Sequence, residues 1–204
     1  MYLNHYYYYF KNAFDDRFCQ SVKDLAKKNK IKKATVDNSD KQSKEINFTI
    51  NKKLRDSEIC WLNDQWIYDS IQPYMEEANK MADWNFDLSD YEDLQFTSYK
   101  KNQHYDWHLD NLSKTWNAPN NPSVHGKYRK LSFSINLSDP KDFKGGEFYF
   151  EFLNVPENKI VECKELKEKG TIIFFPSFVK HRVAPVTEGK RNALVGWNLG
   201  YPFK

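Results

Sequence analysis

The chain has 204 residues, with 31 Lys plus Arg against 28 Asp plus Glu, a formal charge of +3, and 17% aromatic residues. That length suits one domain with a single core, and abundant Phe, Tyr and Trp beside 29% charged residues exclude a disordered or fibrous chain. A charge this small and mixed makes no case for a polyanionic partner.

Cys19, Cys60 and Cys163 are odd in number and far apart, which suggests neither a disulfide framework nor a structural zinc site. The longest nearly apolar run, Thr171 to Val179, is about half of the roughly 18 residues a membrane span needs. The first ten residues lack the basic and aliphatic regions of a secretory signal. The expectation is a cytoplasmic protein with no membrane role. Only 5 of the 31 basic residues are Arg (Arg17, Arg55, Arg129, Arg182, Arg191), so an Arg marks a place where a planar fork was needed.

In chain order, the aromatic run Tyr6 to Phe10 reads as a strand or core edge. From Asp15 or Asp16 as N-cap, Phe18, Val22 and Leu25 recur at helical spacing, with Cys19 and Ala26 widening the stripe, so a helix to about Lys28 is predicted. The Lys-rich stretch through Lys33 and the polar segment from Asp37 to Lys44 read as a solvated loop. Ile46, Phe48 and Ile50 alternate with polar residues, predicting a short strand with one buried face. A second helix is predicted from about Asn63, with Ile67, Ile71, Met75, Ala78 and Ala82 on one side, bent or divided at Pro73. Trp61, Trp66 and Trp84 are expected to pack it onto a sheet.

From Leu94 the period becomes 2. Leu94 and Phe96, Leu131 to Leu137, Phe148 to Phe152, Thr171 to Phe175 and Ala193 to Leu199 are strand-like runs. Short strands at this spacing predict a β-sandwich or barrel-like jelly roll whose sheet is covered by the N-terminal helices. No domain boundary or internal repeat is visible.

Two of the five His begin an H-x-D triplet, His104-Tyr-Asp106 and His108-Leu-Asp110. On a strand, residues i and i+2 share a face, so either triplet can reach a metal from one side. A second His from a distant strand would complete a facial set of two His and one carboxylate, leaving open positions on a non-haem iron. His181, after the turn Pro176-Ser177, is the natural third ligand. Arg191, ten residues on, would lie near the metal if its strand ran beside that of His181, and its fork suits a carboxylate. Alternation alone does not choose between the two triplets, because positions 104, 106, 108 and 110 share one face.

The stretch Tyr99 to Asn111, the turn Gly145-Gly146-Glu147 and the run His181 to Arg191 resemble the 2-oxoglutarate and Fe(II)-dependent dioxygenases, in the prolyl 4-hydroxylase-like and PKHD-type branch. The resemblance covers about Leu94 to Leu199, and the N-terminal half resembles that branch's helical support. It implies a mostly β, double-stranded β-helix (jelly-roll) fold with N-terminal supporting helices, as one dioxygenase domain. About 1–92 would be helical support and accessory strands, and about 93–204 the jelly-roll core.

It further implies iron held by His108, Asp110 and His181, and 2-oxoglutarate held by Arg191 and Tyr99. Fe(II), 2-oxoglutarate and O2 would serve as cofactor and co-substrates, with ascorbate as an optional reductant. The family places its Tyr nine residues before the metal His, as Tyr99 stands to His108, which favours the second triplet. Asn102 stands where the family often has Gly, a departure that alters the bend before the metal strand without removing a ligand.

The long polar segment between Asn111 and Arg129 reads as a binding loop or lid. Trp116, His125, Tyr128 and Arg129 in or beside it, with Trp197 six residues beyond Arg191, are the candidate substrate contacts. The resemblance implies a prolyl residue of a protein or peptide as substrate, with a free amino acid or other small molecule as the alternative. Nucleobase-repair members carry a second Arg where Trp197 stands, so nucleic acid is disfavoured. The competing classes are a non-catalytic jelly-roll binding module and a zinc hydrolase, neither of which gives a reason for Arg191.

Overall fold

The computed structural model describes residues 3–37, 48–111, 114–152 and 159–203. Short strands and a helix open the chain: β1 (Tyr8–Phe10), α1 (Asp16–Lys28), then β2 (Lys32–Lys33), β3 (Val36–Asp37), β4 (Phe48–Thr49), β5 (Arg55–Asp56) and β6 (Glu58–Leu62). After α2 (Gln65–Met81) come β7 (Asp90–Tyr91), β8 (Leu94–Lys100), β9 (His104–His108) and β10 (Tyr128–Asn136). The remainder is β11 (Phe143–Gly145), β12 (Phe148–Phe152), β13 (Lys159–Glu162), β14 (Ile172–Pro176), β15 (Lys180–Val183) and the long β16 (Val186–Gly200).

These strands form a jelly roll of two facing antiparallel sheets. The major sheet runs β1-β14-β10-β16-β8-β6-β2, with β7 and β11 also paired to β16, and the minor sheet runs β13-β12-β15-β9-β5. Alternation along the major strands divides their side chains into two sets. Leu94, Phe96, Leu131, Phe133, Ile135, Ile172, Phe174 and Leu194 share a core with both helices. Gln95, Tyr99, Ser134, Phe175, Ala193 and Trp197 turn the other way, toward a cavity between the sheets. Phe148, Phe150, Phe175 and Val183 close the far end of that space.

α1 forms where the periodicity places it. Asp15 caps it, accepting the Phe18 N–H at 2.8 Å, which satisfies one of the first-turn donors that a helix leaves open. Cys19, Val22 and Ala26 are its buried stripe. α2 runs unbroken through Pro73. An interior Pro costs about 3 kcal/mol, and here the burial of Ile67, Ile71, Met75 and Ala78 against the sheet offsets it.

Several local expectations are corrected. Lys32 and Lys33 belong to an edge strand paired with Ile59 and Glu58 instead of a solvated loop. Phe48 and Ile50 are 46% and 59% exposed, so the alternating stretch has no buried face there, and Ile46 lies outside the described residues. Among the described residues the β3–β4 ladder pairs with no third strand. Of the three Trp, only Trp84 packs as expected, buried in the helix-side core with Nε1 donating to the His5 carbonyl at 2.8 Å. Trp66 is 40% exposed, and Trp61 faces Trp197 across the inter-sheet cavity. No described helix is long and apolar enough to cross a membrane.

Candidate active site

Antiparallel pairing of β9 with β15 sets His108 opposite His181. Beyond His108 the chain turns, and the Asp110 and Asn111 N–H groups both donate to the Ser177 carbonyl at 2.9 Å. That turn brings the Asp110 carboxylate between the two imidazoles, with Oδ1 3.6 Å from His108 Nε2 and Oδ2 3.6 Å from His181 Nε2. The same device orients both rings. His108 Nδ1 lies 2.7 Å from the Asp106 carbonyl and His181 Nδ1 2.9 Å from the Val179 carbonyl, each two residues back along its own strand. A carbonyl accepts only, so Nδ1 carries the proton and Nε2 presents a lone pair.

Two lone pairs therefore face a carboxylate, and Asp110 Oδ2 is buried with no hydrogen-bond donor. Acceptors set against acceptors in a buried site call for a cation among them. The three ligand atoms lie within 4.8 Å of one another, a grouping that could hold one metal ion. The electrostatics agree. Burial, then His108, push the His181 imidazole down to about 4, so it is neutral near pH 7. Burial opposes charge on Asp110, and His181, His108 and Arg129 outweigh it, holding the carboxyl below its ordinary range.

Register separates the two H-x-D triplets. His104 pairs with Asp56 at the sheet margin, its Nε2 3.2 Å from the Lys53 carbonyl, and Asp106 accepts from the Trp107 N–H. Neither belongs to the cluster. Asn102, just before β9, has φ of +67°, the left-handed conformation that Gly adopts freely and Asn tolerates better than most residues. Its N–H donates to the Val186 carbonyl at 2.7 Å, so the bend that carries β9 across to the minor sheet is kept without Gly.

The cluster opens onto the inter-sheet cavity of about 390 Å³. Arg191 and Tyr99 are register partners on β16 and β8; both are nearly inaccessible, at 2% and 4% exposure. Among the described residues no carboxylate pairs with Arg191. Burial lowers its pKa from the ordinary Arg value and raises that of the Tyr99 phenol, which Arg55 and Arg191 partly offset. A buried guanidinium without a paired carboxylate, beside a phenol in a cavity, has the chemistry that an anionic ligand would satisfy.

A family model described as the 2OG-Fe(II) oxygenase superfamily matches residues 94–198, half of the chain. The chain belongs to that superfamily.

Members use Fe(II), 2-oxoglutarate and O2, and the donor set and Arg191 fit the first two. The chain is 35% identical over 109 residues to a PKHD-type hydroxylase of Prochlorococcus marinus strain MIT 9515, a match covering 53% of this chain and 42% of that protein. A PKHD-type hydroxylase of Synechococcus sp. strain CC9902 is 38% identical over 98 residues, covering 48% and 36%. The chain thus spans well under half of these relatives' length. Among solved structures, a viral collagen prolyl hydroxylase of Paramecium bursaria Chlorella virus-1 superposes with a TM-score of 0.63 at 21% identity, covering 97% of each chain. A Trichoplax adhaerens prolyl hydroxylase, solved with a hypoxia inducible factor peptide fragment, gives 0.69 at 17% identity, covering 96% of this chain and 84% of that one. These two establish the oxygenase fold.

Trp116, Arg129 and Trp197 line the cavity. His125 and Tyr128 are not brought there. His125 is exposed, accepting the Ala118 N–H at 3.1 Å, and the Tyr128 hydroxyl accepts from the Phe203 N–H. Arg129 forks onto Glu92, with Nε and Nη2 2.8 and 2.6 Å from the carboxylate oxygens, and lies 3.7 Å over the Trp197 ring. Glu92 also accepts the Trp116 indole N–H at 3.0 Å. Burial opposes the Arg129 charge, and Glu92 overrides it, raising its pKa.

Sequence reasoning missed Glu92, Gln95, Tyr105 and Arg55, all cavity-lining. Arg55 had one available signal, the scarcity of Arg. The others carried none, because an acid, an amide or a tyrosine in or beside a strand has no feature that tells a cavity wall from a surface.

Proposed function

We propose that the chain is a 2-oxoglutarate- and Fe(II)-dependent dioxygenase domain, the iron held by His108, Asp110 and His181. On this reading it hydroxylates an unactivated C–H of a prolyl residue in a protein or peptide. The observation that carries the proposal is the pair of Nε2 lone pairs trained on Asp110 beside the carboxylate-free Arg191. When bound, iron with 2-oxoglutarate supplies O2 activation coupled to decarboxylation to succinate and CO2.

The protein's share is positioning and exclusion of water. Arg191 takes the distal carboxylate of 2-oxoglutarate in a bidentate grip and Tyr99 adds a phenol hydrogen bond, a pairing supported by their register and burial. Carbonyls of Asp106 and Val179 keep the His Nε2 atoms turned inward. Aromatic walls from Phe148 and Phe175 keep bulk water from the His181 side.

For substrate, Trp197 is the most informative group. Its indole Nε1 is buried with no acceptor, and a peptide carbonyl entering the cavity would satisfy it. Arg129 and Trp116 stand beside it, both gathered on Glu92. The prolyl hydroxylases of the same fold support a peptidyl proline; a free amino acid is the second reading.

The test is succinate formation by Fe(II)-loaded protein with proline-containing peptides, free amino acids and oligonucleotides, with product mass read in parallel. Expected is peptide-dependent succinate with a gain of one oxygen, abolished by Asp110→Ala. Undiminished turnover in that variant would refute the mechanism, and turnover on free amino acids alone would move the substrate to the second reading. Anaerobic addition of 2-oxoglutarate to the Fe(II) protein should give a weak visible charge-transfer band, which a zinc hydrolase or a binding module lacks.

A further inference from the structure

The cavity wall contains a third guanidinium, besides Arg191 and Arg129, that the proposed reaction does not use. Arg55, on β5, is 7% exposed, with Nε donating to Ser57 Oγ at 3.1 Å and Nη2 to Gln95 Oε1 at 2.5 Å. Its Cζ lies 4.5 Å over the Tyr105 ring, and Tyr105 in turn stacks on the His108 ring at 3.4 Å with planes 9° apart. Two stacking steps therefore separate this cation from a metal ligand. All of its partners are neutral, and they include the Tyr99 phenol, whose pKa is raised by burial and lowered in part by Arg55. Among the described residues no carboxylate pairs with it, and the adjacent Asp56 turns away, accepting from Gln103 and standing 3.6 Å from Lys33.

Charge accounting makes the consequence specific. Arg129 is neutralised by Glu92. A divalent iron balances Asp110 and one carboxylate of 2-oxoglutarate, and Arg191 balances the other. Arg55 is left over. An unbalanced charge in a low-dielectric cavity is costly, and it becomes favourable once a ligand anion arrives. Lys32 at the cavity edge adds charge of the same sign and none of the opposite.

We infer that Arg55 is a substrate-anion site, so that the molecule oxidised presents a carboxylate to it beside the Tyr105–His108 stack. This rests on the dioxygenase reading, since the accounting assigns iron and 2-oxoglutarate their places. It narrows the substrate to one bearing a carboxylate near the hydroxylated carbon. Two sources supply that group: the α-carboxylate of a free amino acid, or an acidic side chain next to the target residue in a peptide.

The test is equilibrium binding, with Mn(II) in place of iron and saturating 2-oxoglutarate, read by tryptophan fluorescence because Trp61 and Trp197 line the cavity. One arm compares L-proline with L-prolinamide. The other compares a capped Gly-Pro-Asp-Gly peptide with its Gly-Pro-Asn-Gly counterpart. The carboxylate member of at least one pair should bind about 10- to 100-fold more tightly, the range of a charge-assisted hydrogen bond. Arg55→Gln should reduce that preference to less than about threefold, and Arg55→Lys should leave an intermediate value.

Equal binding of acid and amide in both arms, no saturable binding of either carboxylate, or a preference that survives Arg55→Gln overturns the inference. Loss of 2-oxoglutarate binding in Arg55→Gln overturns it too, by placing Arg55 in the co-substrate site. If Arg55→Gln does not fold, the wild-type preference and Arg55→Lys decide. Failure of wild-type protein to bind 2-oxoglutarate at all is the separate result that would sink the dioxygenase reading.

Discussion

Gly146 lies against the side chain of Arg191: a Cβ at Gly146 would stand 3.0 Å from Arg191 Cδ and 3.0 Å from Val186 Cγ2, and its φ is +69°. The glycine pair Gly145-Gly146 thus lets the β11–β12 turn close over the stem of the guanidinium that faces the cavity. Gly146→Ala should displace Arg191 and place a side chain in the left-handed region, at a cost of about 1–2 kcal/mol. A calorimetric titration with 2-oxoglutarate should show a weaker affinity, while Mn(II) binding is unchanged. Equal 2-oxoglutarate affinity in mutant and wild type would show that the close approach has no bearing on the cavity.

Arg191→Leu removes the guanidinium that strand register places beside Tyr99. Affinity for 2-oxoglutarate should fall by about 100-fold or more, since a charge-assisted pair contributes about 1.5–3 kcal/mol and its loss also leaves the ligand carboxylate unpaired. The metal cluster is untouched, so Mn(II) affinity should be retained; a parallel loss of both would indicate a folding defect.

His108→Ala and His104→Ala should separate cleanly. The first removes one of three ligands and should abolish Mn(II) binding at micromolar concentration. The second changes a ring held by the Lys53 and Asn102 carbonyls at the sheet margin, and should leave metal affinity within about threefold. In wild type, metal at 100 times its Kd should raise unfolding free energy by about 2.7 kcal/mol, and chelator should reverse it. Thermal shifts with and without metal read all three proteins, and loss of the shift in His104→Ala instead would reassign the ligand.

Glu92→Gln leaves Arg129 buried without its counter-charge. Breaking one side of a buried ion pair costs about 3–5 kcal/mol, and here it also replaces the charged acceptor for Trp116 Nε1. Urea unfolding should show a loss near that range. A loss under 1 kcal/mol would mean that water reaches Arg129.

Phe150 is wholly buried between the sheets, ringed by Phe148, Phe152, Phe175 and Tyr7. Phe150→Ala should cost about 3–5 kcal/mol through lost transfer energy and the cavity left behind. It should also loosen His181, its cross-strand partner, so metal affinity is expected to fall with stability.

The chain's local signals proved strongest where a single element decides the outcome. The α1 stripe and its Asp15 cap, the alternation of β10, β12 and β14, and the order of His108, Asp110, His181 and Arg191 all rest on spacing within one segment or on residue types that chemistry requires. Spacing and resemblance together thus reached the jelly roll and the three residues, His108, Asp110 and His181, whose grouping could hold a metal. What stayed hidden depends on which surface another segment covers. Phe48 and Ile50 alternate as a half-buried strand does, yet both are exposed. Trp61 belongs to the cavity instead of the helix, Pro73 is carried by the packing of the residues around it, and His104 differs from His108 only in what lies across the strand. Arg55, on β5, and Glu92, between β7 and β8, reach the cavity from outside the recognised motif, and their roles follow from pairings with Tyr105 and Arg129, residues 50 and 37 positions away. Residue spacing determines which faces a segment can bury, and only the register between distant strands decides which charges end up without partners.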